Sequence, residues 1–418
     1  MTLDPVHVDG IADLATYLAR NVDDDEHVDL ARTVWEEYLD PLYGPDGGAV
    51  LEPLGRKRLR AADVDDVALT ESPFETVHGL DSGTINPTTF KNGIVLDVAQ
   101  AAMAAVPSNL DLHRHRSIVA TTHTNDATSA FDQPWRKRDE GYCRWRIIQA
   151  PRVSRFAEGV VHALSLYLAE STHALEHADE VEDLLVLDGP LYPKELLNWR
   201  GRDGELSDLS REAKPKQVVE NYLRLVERFV KRDVPLCGFV KNPASKHLVN
   251  AVRERGMEAP WTDDTAFFTR LLERRAVGNR GTEGRETGEL TFTNWFVSRG
   301  GCDRTFAAGG DAFGLERNLD ADLYEVAFFV IYDPRTDVLY RVEAPVAFAR
   351  DEDVRRRLTT QMLAGVAANR GPPDAVAKAD ELARISAREK VALRRKLEEN
   401  LDSDAVRQYD DLRWAPGE

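Results

Sequence analysis

The most constraining feature of this sequence is a long helical pattern placed between apolar strands. Three strands are predicted over 76–81, 93–98 and 117–122, where β-branched and other apolar residues cluster. An amphipathic helix is predicted over 151–177. The run 183–188 that follows it is almost entirely apolar, as in a strand buried on both faces. This order predicts a mixed α/β sheet whose helix crosses from one strand to the next.

The order of elements is that of an RNase H-like arrangement, and the regions on either side of it are expected to be helical. We expect an N-terminal helical region over 1–70, a sheet core over 71–345 and a C-terminal helical region over 346–418. The Gly-rich polar segment 276–289 interrupts the core and is expected to be a mobile loop. The fold class predicted is therefore an RNase H-like mixed sheet core with N-terminal and C-terminal helical extensions.

The charge pattern constrains the partners and the solvent of this chain. Among 418 residues, 72 are Asp or Glu and 54 are Lys or Arg, which gives a net charge of −18, and few of the basic residues are Lys. An acidic, Lys-poor surface is typical of proteins from a saline cytoplasm; the alternative is an ordinary acidic protein from a GC-rich genome. At face value the charge argues against a nucleic-acid partner. The sequence has no apolar run of about 18 residues and no secretory signal, so a cytoplasmic protein with no membrane segment is expected.

Two aspartates are candidate functional residues because of their position. Asp81 lies at or near the end of the first predicted strand, before Ser82-Gly83-Thr84, and Asp188 ends the fourth. Strand ends are where α/β sheets place ligands and metals. The alternative is that each Asp caps a turn or a helix. The helix between the two strands offers Glu158 in its early turns as a third carboxylate, with Glu170 near its end as the reserve.

Three carboxylates at one sheet edge would hold Mg²⁺ or Mn²⁺, since hard divalent cations prefer oxygen ligands. Bound metals of this kind activate water in phosphodiester cleavage. His113 and His115, with His123 beyond, form a second possible metal cluster. No third ligand with motif spacing accompanies them, so a polar loop is expected there.

Lys241 ends a short buried strand predicted over 235–240 in a chain that is poor in Lys. Its ammonium could neutralise a scissile phosphate or orient water. It could equally be a surface Lys whose aliphatic stem packs on the protein. The sequence leaves these two roles open.

Short motifs then occur in one order between about residues 74 and 390, and together they resemble the archaeal NurA nucleases, the DNA end-processing partners of the HerA helicase-translocase. Each motif is weak alone, and the ordered set carries the resemblance. The motifs are Gly79-Leu80-Asp81-Ser82-Gly83, Arg155-x-x-Glu158, Val186-Leu187-Asp188-Gly189-Pro190-Leu191, Gly238-Phe239-Val240-Lys241-Asn242, Tyr340-Arg341-Val342-Glu343-x-Pro345 and Gly371-Pro372-Pro373.

The resemblance implies a DNA nuclease dependent on Mn²⁺ or Mg²⁺ that acts in double-strand-break end resection. It implies 5′–3′ exonuclease and single-strand endonuclease activities and a homodimer docked on a HerA-type hexameric ATPase. Asp81, Glu158 and Asp188 would be metal ligands. The family also has a Gly-Tyr-Pro segment and a later His near the metals; here Pro372 takes the Tyr position and Asp380 the His position. An Asp keeps a metal ligand, whereas Pro lacks the hydroxyl.

Two other functions remain open from the sequence. The first is an actin-like ATPase or sugar kinase, in which Asp81-Ser82-Gly83-Thr84 and Asp188-Gly189 would be phosphate loops. Against it, Pro190 lacks the N–H that a phosphate cradle uses. The second is a non-catalytic adaptor that clamps DNA for a motor, with a site weakened at Pro372. Nuclease activity with Mn²⁺ distinguishes the three.

Overall fold

The architecture comes from a computed structural model, which describes residues 4–19, 24–125, 128, 130–154, 159–202, 204–277 and 283–407. Sixteen strands are found in these ranges: β1 Leu42–Tyr43, β2 Ala49–Pro53, β3 Leu59–Asp63, β4 Val77–Thr89, β5 Val95–Val106, β6 Arg116–His123, β7 Arg136–Arg138, β8 Cys143–Ala150, β9 Leu185–Asp188, β10 Leu236–Val240, β11 Arg275–Val277, β12 Glu283–Arg285, β13 Glu289–Thr293, β14 Phe296–Ser298, β15 Val326–Asp333 and β16 Val338–Pro345.

The α-helices of the same ranges frame these strands in the chain. They are α1 Pro5–Ala19, α2 Asp24–Tyr38, α3 Val64–Ala68, α4 Ala163–Glu176, α5 Lys194–Asn198, α6 Gly204–Leu209, α7 Ala213–Arg232, α8 His247–Glu254, α9 Asp264–Leu272, α10 Val346–Ala349, α11 Glu352–Asn369, α12 Asp374–Ala383 and α13 Ala387–Leu401.

Within the described ranges, fourteen strands form one continuous mixed sheet. Its main path runs β1-β2-β14-β15-β16-β10-β9-β4-β5-β6-β8-β7, with β13 and β3 attached to β15. Strand β9 lies between β4 and β10 and is parallel to both. Most other neighbours are antiparallel, although β6 and β8 are parallel. The prediction of a mixed α/β fold is therefore confirmed.

Three apolar clusters pack on the sheet: one packs the helices α2, α8 and α9 on the β14–β16 end, and the other two cover the opposite faces of its central strands. One contains Leu80, Leu187 and the inner faces of α4 and α7. The other contains Val186, Val376 and residues of α11. Consecutive strand residues point to opposite faces, so each core takes every second residue of the central strands. Within the described residues, no helix is long and apolar enough to cross a membrane.

The N-terminal region differs from the helical region expected through residue 70. Two helices are present, but residues 42–63 form three strands that extend the sheet. The turn at 44–48 explains the difference, because Gly44 N donates to Gly48 O and reverses the chain into a hairpin. The sheet therefore continues across the boundary expected at residue 70.

The central helix is also shorter than the predicted 151–177. It spans Ala163–Glu176, and residues 159–161 before the turn at residue 162 are helical too. Residues 151–154 are extended or irregular, and residues 155–158 lie outside the described ones. Strands β7 and β8 precede it and were not predicted, because their many arginines mask the alternation of a strand. In the segment expected to be a mobile loop, β11 pairs with β12, and residues 278–282 between them lie outside the described ones.

Candidate metal centre

Asp81 does not end its strand as expected; it lies inside the thirteen-residue strand β4. The pairing of β4 with β9 ends one residue before Asp81, at the register pair Leu80↔Leu187. Pairing with β5 continues from Asp81↔Ala102 up to Thr89. Asp81 therefore lies at the carboxyl end of the parallel part of the sheet, where ligands of α/β sheets bind.

Asp188 is the last residue of β9 and shares a face of the sheet with Asp81. Leu80 and Leu187 are register partners that both belong to the core on the α4 side, so the residues that follow them point to the opposite face. Lys241 follows the end of the neighbouring parallel strand β10, and its Nζ lies 2.6 Å from Asp188 Oδ2. The Asp188 side chain is only 6% exposed, so this ion pair is well shielded from solvent.

The C-terminal helix α12 lies on the same face and supplies Asp380. Two glycines that flank Asp81 on its face, Gly79 and Gly83, allow the close approach. A Cβ at Gly79 would lie 2.0 Å from the Ala375 carbonyl oxygen, and one at Gly83 would lie 2.1 Å from that of Ala383. Any side chain at either position would push the helix away from the sheet. The spacing Gly-x-Asp-x-Gly is a sequence signal for this contact.

The three aspartates meet at one point: Asp81, Asp188 and Asp380 each present a carboxylate oxygen, and these atoms lie within 4.8 Å of one another. Asp380 is also bound from its own helix by Arg384, at 2.8 Å. The residues come from the first third, the middle and the end of the chain, so the cluster exists only in the folded molecule.

Burial disfavours the charged forms of two of these carboxyls, Asp81 and Asp188. Burial raises the pKa of Asp81 to about 8, and the negative charges of Asp188 and Glu170 contribute to the rise. Burial also raises the pKa of Asp188, although the Lys241 ammonium acts in the opposite direction. Carboxylates this close repel one another unless a cation lies among them.

Glu170, the reserve for the third carboxylate, lies beside Asp81 and reaches the site from α4 on the other face of the sheet. Its Oε1 accepts a hydrogen bond from Ser82 Oγ at 2.6 Å, and its Oε2 accepts one from Tyr222 Oη at 3.0 Å. Burial raises the pKa of Glu170 to about 7 despite these two donors. Glu158 lies outside the described residues. The roles of Ser82 and Tyr222 were not predicted, and no sequence motif marks them.

A buried ionic network holds the turn that follows Asp188. Glu343 Oε2 accepts from Leu191 N at 3.1 Å, and Glu343 Oε1 lies 2.5 Å from Lys194 Nζ and 2.7 Å from Arg341 Nε. Lys194 and Arg341 also contact Asp303, at 2.8 and 2.9 Å. This network connects the motif around Glu343 with the Asp188 turn and fixes the backbone behind the Asp188 carboxylate.

The three histidines considered as a second metal site do not converge. His113 Nε2 accepts from Ala105 N at 2.8 Å, in a 3-10 turn that follows β5. His123 ends β6, and its Nε2 lies 2.6 Å from Asp97 Oδ2 in the protein interior. His115 instead stacks against His177, with ring centroids 4.5 Å apart.

The strand position of Ser82-Gly83-Thr84 also bears on the ATPase alternative. These residues pair with Ala101, Gln100 and Ala99 inside the β4–β5 ladder. Their backbone N–H groups therefore belong to a regular strand, whereas a phosphate cradle needs a turn whose N–H groups converge.

The donor set fits a hard divalent cation. All three converging groups are carboxylates, Glu170 adds a fourth acid nearby, and Lys241 supplies a single positive charge. Oxygen-only ligation of this kind suits Mg²⁺ or Mn²⁺ and lacks the nitrogen and sulfur donors of structural zinc.

Comparisons with known proteins show which solved structures and which sequence family this chain resembles. The fold is similar to the crystal structure of the NurA nuclease from Sulfolobus solfataricus, with a TM-score of 0.51 and 11% identity over 99% of this chain and 100% of that one. A crystal structure of NurA bound to dAMP and manganese matches with a TM-score of 0.44 and 12% identity over 98% and 99% of the two chains. A comparison with curated protein sequences gives no significant match.

The sequence model of the NurA domain matches residues 75–385, which is well over half of the chain. The match contains Asp81, Asp188, Lys241 and Asp380, which the fold brings to one end of the parallel strands. The protein belongs to the NurA family.

Proposed function

We propose that this protein is a divalent-metal-dependent DNA nuclease. The observation that carries the proposal is the cluster of Asp81, Asp188 and Asp380, whose carboxylate oxygens lie within 4.8 Å of one another. Repulsion and desolvation of three such groups oppose folding, so a cation among them would stabilise the cluster. Membership of the NurA family supports DNA as the substrate.

Asp81, Asp188 and Asp380 would hold the cation, which we propose is Mn²⁺ or Mg²⁺. When bound, such a cation supplies Lewis acidity, which lowers the pKa of a coordinated water and offsets charge on the phosphodiester. The interior of β4 and the end of β9 fix two of the carboxylates, and α12 adds the third.

Lys241 and Glu170 would act beside the ligands. The Lys241 ammonium favours the charged form of Asp188 against the effect of burial, and it is placed to offset negative charge on the phosphodiester as it is cleaved. Glu170, with a pKa of about 7, can hold or release a proton at neutral pH next to Asp81. Glu170 therefore replaces Glu158 as our preferred fourth carboxylate; Glu158 lies outside the described residues and stays a sequence prediction.

The two departures from the family pattern suggest a different ligand set. Asp380 supplies an oxygen donor and a negative charge where the family has His, which favours hard cations. Pro372 supplies no hydroxyl, and its carbonyl oxygen accepts a hydrogen bond from Asn369 Nδ2 at 3.1 Å. We propose that the site is active without a tyrosine at this position.

The biological setting follows from the family resemblance and is also a proposal. The protein would resect double-strand-break ends by 5′–3′ exonuclease and single-strand endonuclease cleavage. It would act as a homodimer with a HerA-type hexameric ATPase.

Digestion of linear DNA tests the proposed function. Duplex and single-stranded substrates labelled at the 5′ or 3′ end are incubated with Mn²⁺, Mg²⁺ or EDTA over a range of salt concentrations. Asp81→Asn should lower the cleavage rate by about two orders of magnitude or more, because it removes a ligand and a negative charge. Asp380→His should retain cleavage, whereas Asp380→Ala should lose it.

Asp208→Asn is the matched control, since the Asp208 side chain is 81% exposed and far less constrained. Full cleavage by Asp81→Asn and Asp188→Asn would refute the proposed site. Absence of cleavage by the wild-type protein with every metal and substrate would favour the DNA-clamping adaptor.

A further inference from the structure

An exposed basic hairpin lies at the edge of the sheet beyond β6. Strands β7 and β8 are antiparallel, with the register Arg136↔Trp145 and Arg138↔Cys143, and all of β7 is exposed. Register partners share a face, so Arg136, Arg138 and Trp145 lie together. The guanidinium carbons of Arg136 and Arg138 lie 5.5 and 5.8 Å from the Trp145 ring centroid. The result is a half-buried aromatic ring flanked by two cations in a chain of net charge −18.

A groove begins beside this hairpin. Its volume is about 650 Å³, and it lies between the sheet and the C-terminal helix α13. None of the residues of α13 is fully buried, and its half-buried residues Leu393 and Leu397 face the groove. The floor and the helical wall are mainly apolar, and they consist of Leu96, Val98, Ile118, Ala120, Leu393 and Leu397.

The rim of the groove is mainly basic and aromatic. Arg138, Arg146 and Trp145 line it. Glu389 lines it too, but its carboxylate accepts from Ser386 N at 2.7 Å at the start of α13. The Glu389 charge is thereby directed toward a helix N-terminus, which leaves the arginines to set the potential at the opening.

The inner end of the groove lies next to the end of the helix that carries Asp380. Gln100 lines the groove and is the register partner of Gly83, which lies two residues from Asp81 on the same face. Gln100 Nε2 also donates to the Ala383 carbonyl at 2.9 Å, at the end of the helix that carries Asp380. From β8 to β4 there are three strand spacings, or roughly 14 Å. That distance equals about four base-pair steps of duplex DNA at 3.4 Å each, so an unstacked and more extended strand needs fewer nucleotides to cross it.

We propose that this groove and its rim bind single-stranded DNA and lead the strand to the metal centre. The inference rests on the proposed nuclease function and extends it to the substrate path. Unstacked bases would lie on Trp145 and the apolar floor, and their phosphates would contact Arg136 and Arg138. The apolar floor favours single strands, because the paired bases of a duplex are not free to contact it.

Binding is tested without cleavage, in EDTA, by fluorescence anisotropy of a labelled twenty-nucleotide oligothymidine. Trp145→Ala should weaken binding about tenfold, and Trp145→Phe should retain most of it, because either aromatic ring stacks on a base. Arg136→Ser/Arg138→Ser should also weaken binding. The double substitution should also make the fall of the logarithm of the association constant with the logarithm of the salt concentration less steep, by about 1.4 in slope. Each phosphate contact contributes about 0.7 to this slope for single strands.

The control is Arg211→Ser/Arg356→Ser, which removes two cations whose side chains are 70% and 73% exposed elsewhere on the surface. It should leave both affinity and salt slope close to the wild-type values. All of β7 is exposed, so substitution of its arginines should leave the fold intact. The double-arginine variant therefore tests the proposal even if Trp145→Ala, at a half-buried ring, fails to fold. Binding by the Trp145→Ala and double-arginine variants that equals the control would overturn the proposal.

A small substrate separates this inference from the nuclease proposal. Hydrolysis of bis(p-nitrophenyl) phosphate with Mn²⁺ needs the metal centre and does not need the groove. Trp145→Ala should therefore retain it while losing cleavage of long single strands, whereas Asp81→Asn should lose both. If Trp145→Ala instead converts a dimer to a monomer in light scattering with oligonucleotide affinity unchanged, the groove is an interface between copies and the proposal is wrong.

Discussion

The ionisation of Asp81 should make the metal-free protein less stable as the pH rises. The pKa of Asp81 is raised from 3.8 to about 8 in the folded protein. The folded state therefore holds a proton that the unfolded chain releases above about pH 4, and the stability this proton provides is lost as the pH rises toward 8. A shift of about 4 units corresponds to an upper figure of about 6 kcal/mol, at 1.36 kcal/mol per unit.

The substitution Asp81→Asn removes this dependence, because an amide resembles the protonated carboxyl and does not ionise. Between pH 5.5 and 8 the free energy of unfolding of the variant should rise relative to that of the wild type by about 3 kcal/mol. Glu170 and Asp188 are present in both proteins and cancel to first order in the difference. This pH dependence of stability is opposite in sign to that of a salt-bridged Asp, whose stabilising contribution is lost as the pH falls.

Urea titrations in EDTA at several pH values measure the difference. Asp208→Asn carries the same charge change at an 81% exposed side chain and should run parallel to the wild type over this range. If the free energies of unfolding of Asp81→Asn and the wild type change in parallel with pH, the raised pKa of Asp81 is refuted. Saturating Mn²⁺ should raise the free energy of unfolding at pH 8 far more for the wild type than for the variant, since a ligand that binds only the folded state stabilises that state.

Four further outcomes follow from the same contacts. Lys241→Met should move the rising limb of the pH–rate profile to higher pH, because the ammonium that lowers the pKa of Asp188 is lost; Lys241→Arg should move it less, and identical profiles would contradict the role. Gly83→Ala places a Cβ 2.1 Å from the Ala383 carbonyl. It should cost about 1–3 kcal/mol of unfolding free energy, whereas Gly204→Ala, with no atom within 4 Å of its Cβ, should cost little in the same urea titration. Glu343→Gln should weaken Mn²⁺ binding about 10- to 100-fold in calorimetric titration, because it loosens the turn after Asp188; unchanged affinity would show that the network serves stability alone. Removal of divalent metal by EDTA should abolish cleavage and lower the melting temperature at pH 8, as differential scanning fluorimetry would measure.

The parts of the fold that local patterns determine were predictable from the sequence. The apolar run ending at Asp188 is a buried parallel strand, and the two buried strands on either side of α7 lie next to each other. The ordered motifs identified the family, which the domain match confirms. The end of β4 was predicted wrongly because its continuation past Asp81 depends on pairing with β5, and such pairing leaves no local signal.

The composition of the site was harder to predict. Asp380 was accessible only through the family resemblance, because an Asp in a charged helix resembles any solvated residue. Glu170 was placed second because an acid near the end of a helix is usually exposed, whereas the packing of α7 places Tyr222 against it. The hairpin β7–β8 was missed because arginines at an edge strand satisfy neither the apolar nor the alternating pattern.

The docking of α12 on Gly79 and Gly83 has a consequence for biosynthesis. A growing chain that has not yet produced residues 374–383 contains Asp81 and Asp188 but lacks Asp380. The complete carboxylate set therefore forms only after nearly all of the sheet has been synthesised and the late helix has packed onto it. If Asp380 is a ligand as proposed, a chain that stops before α12 lacks part of its metal site and should cleave no DNA.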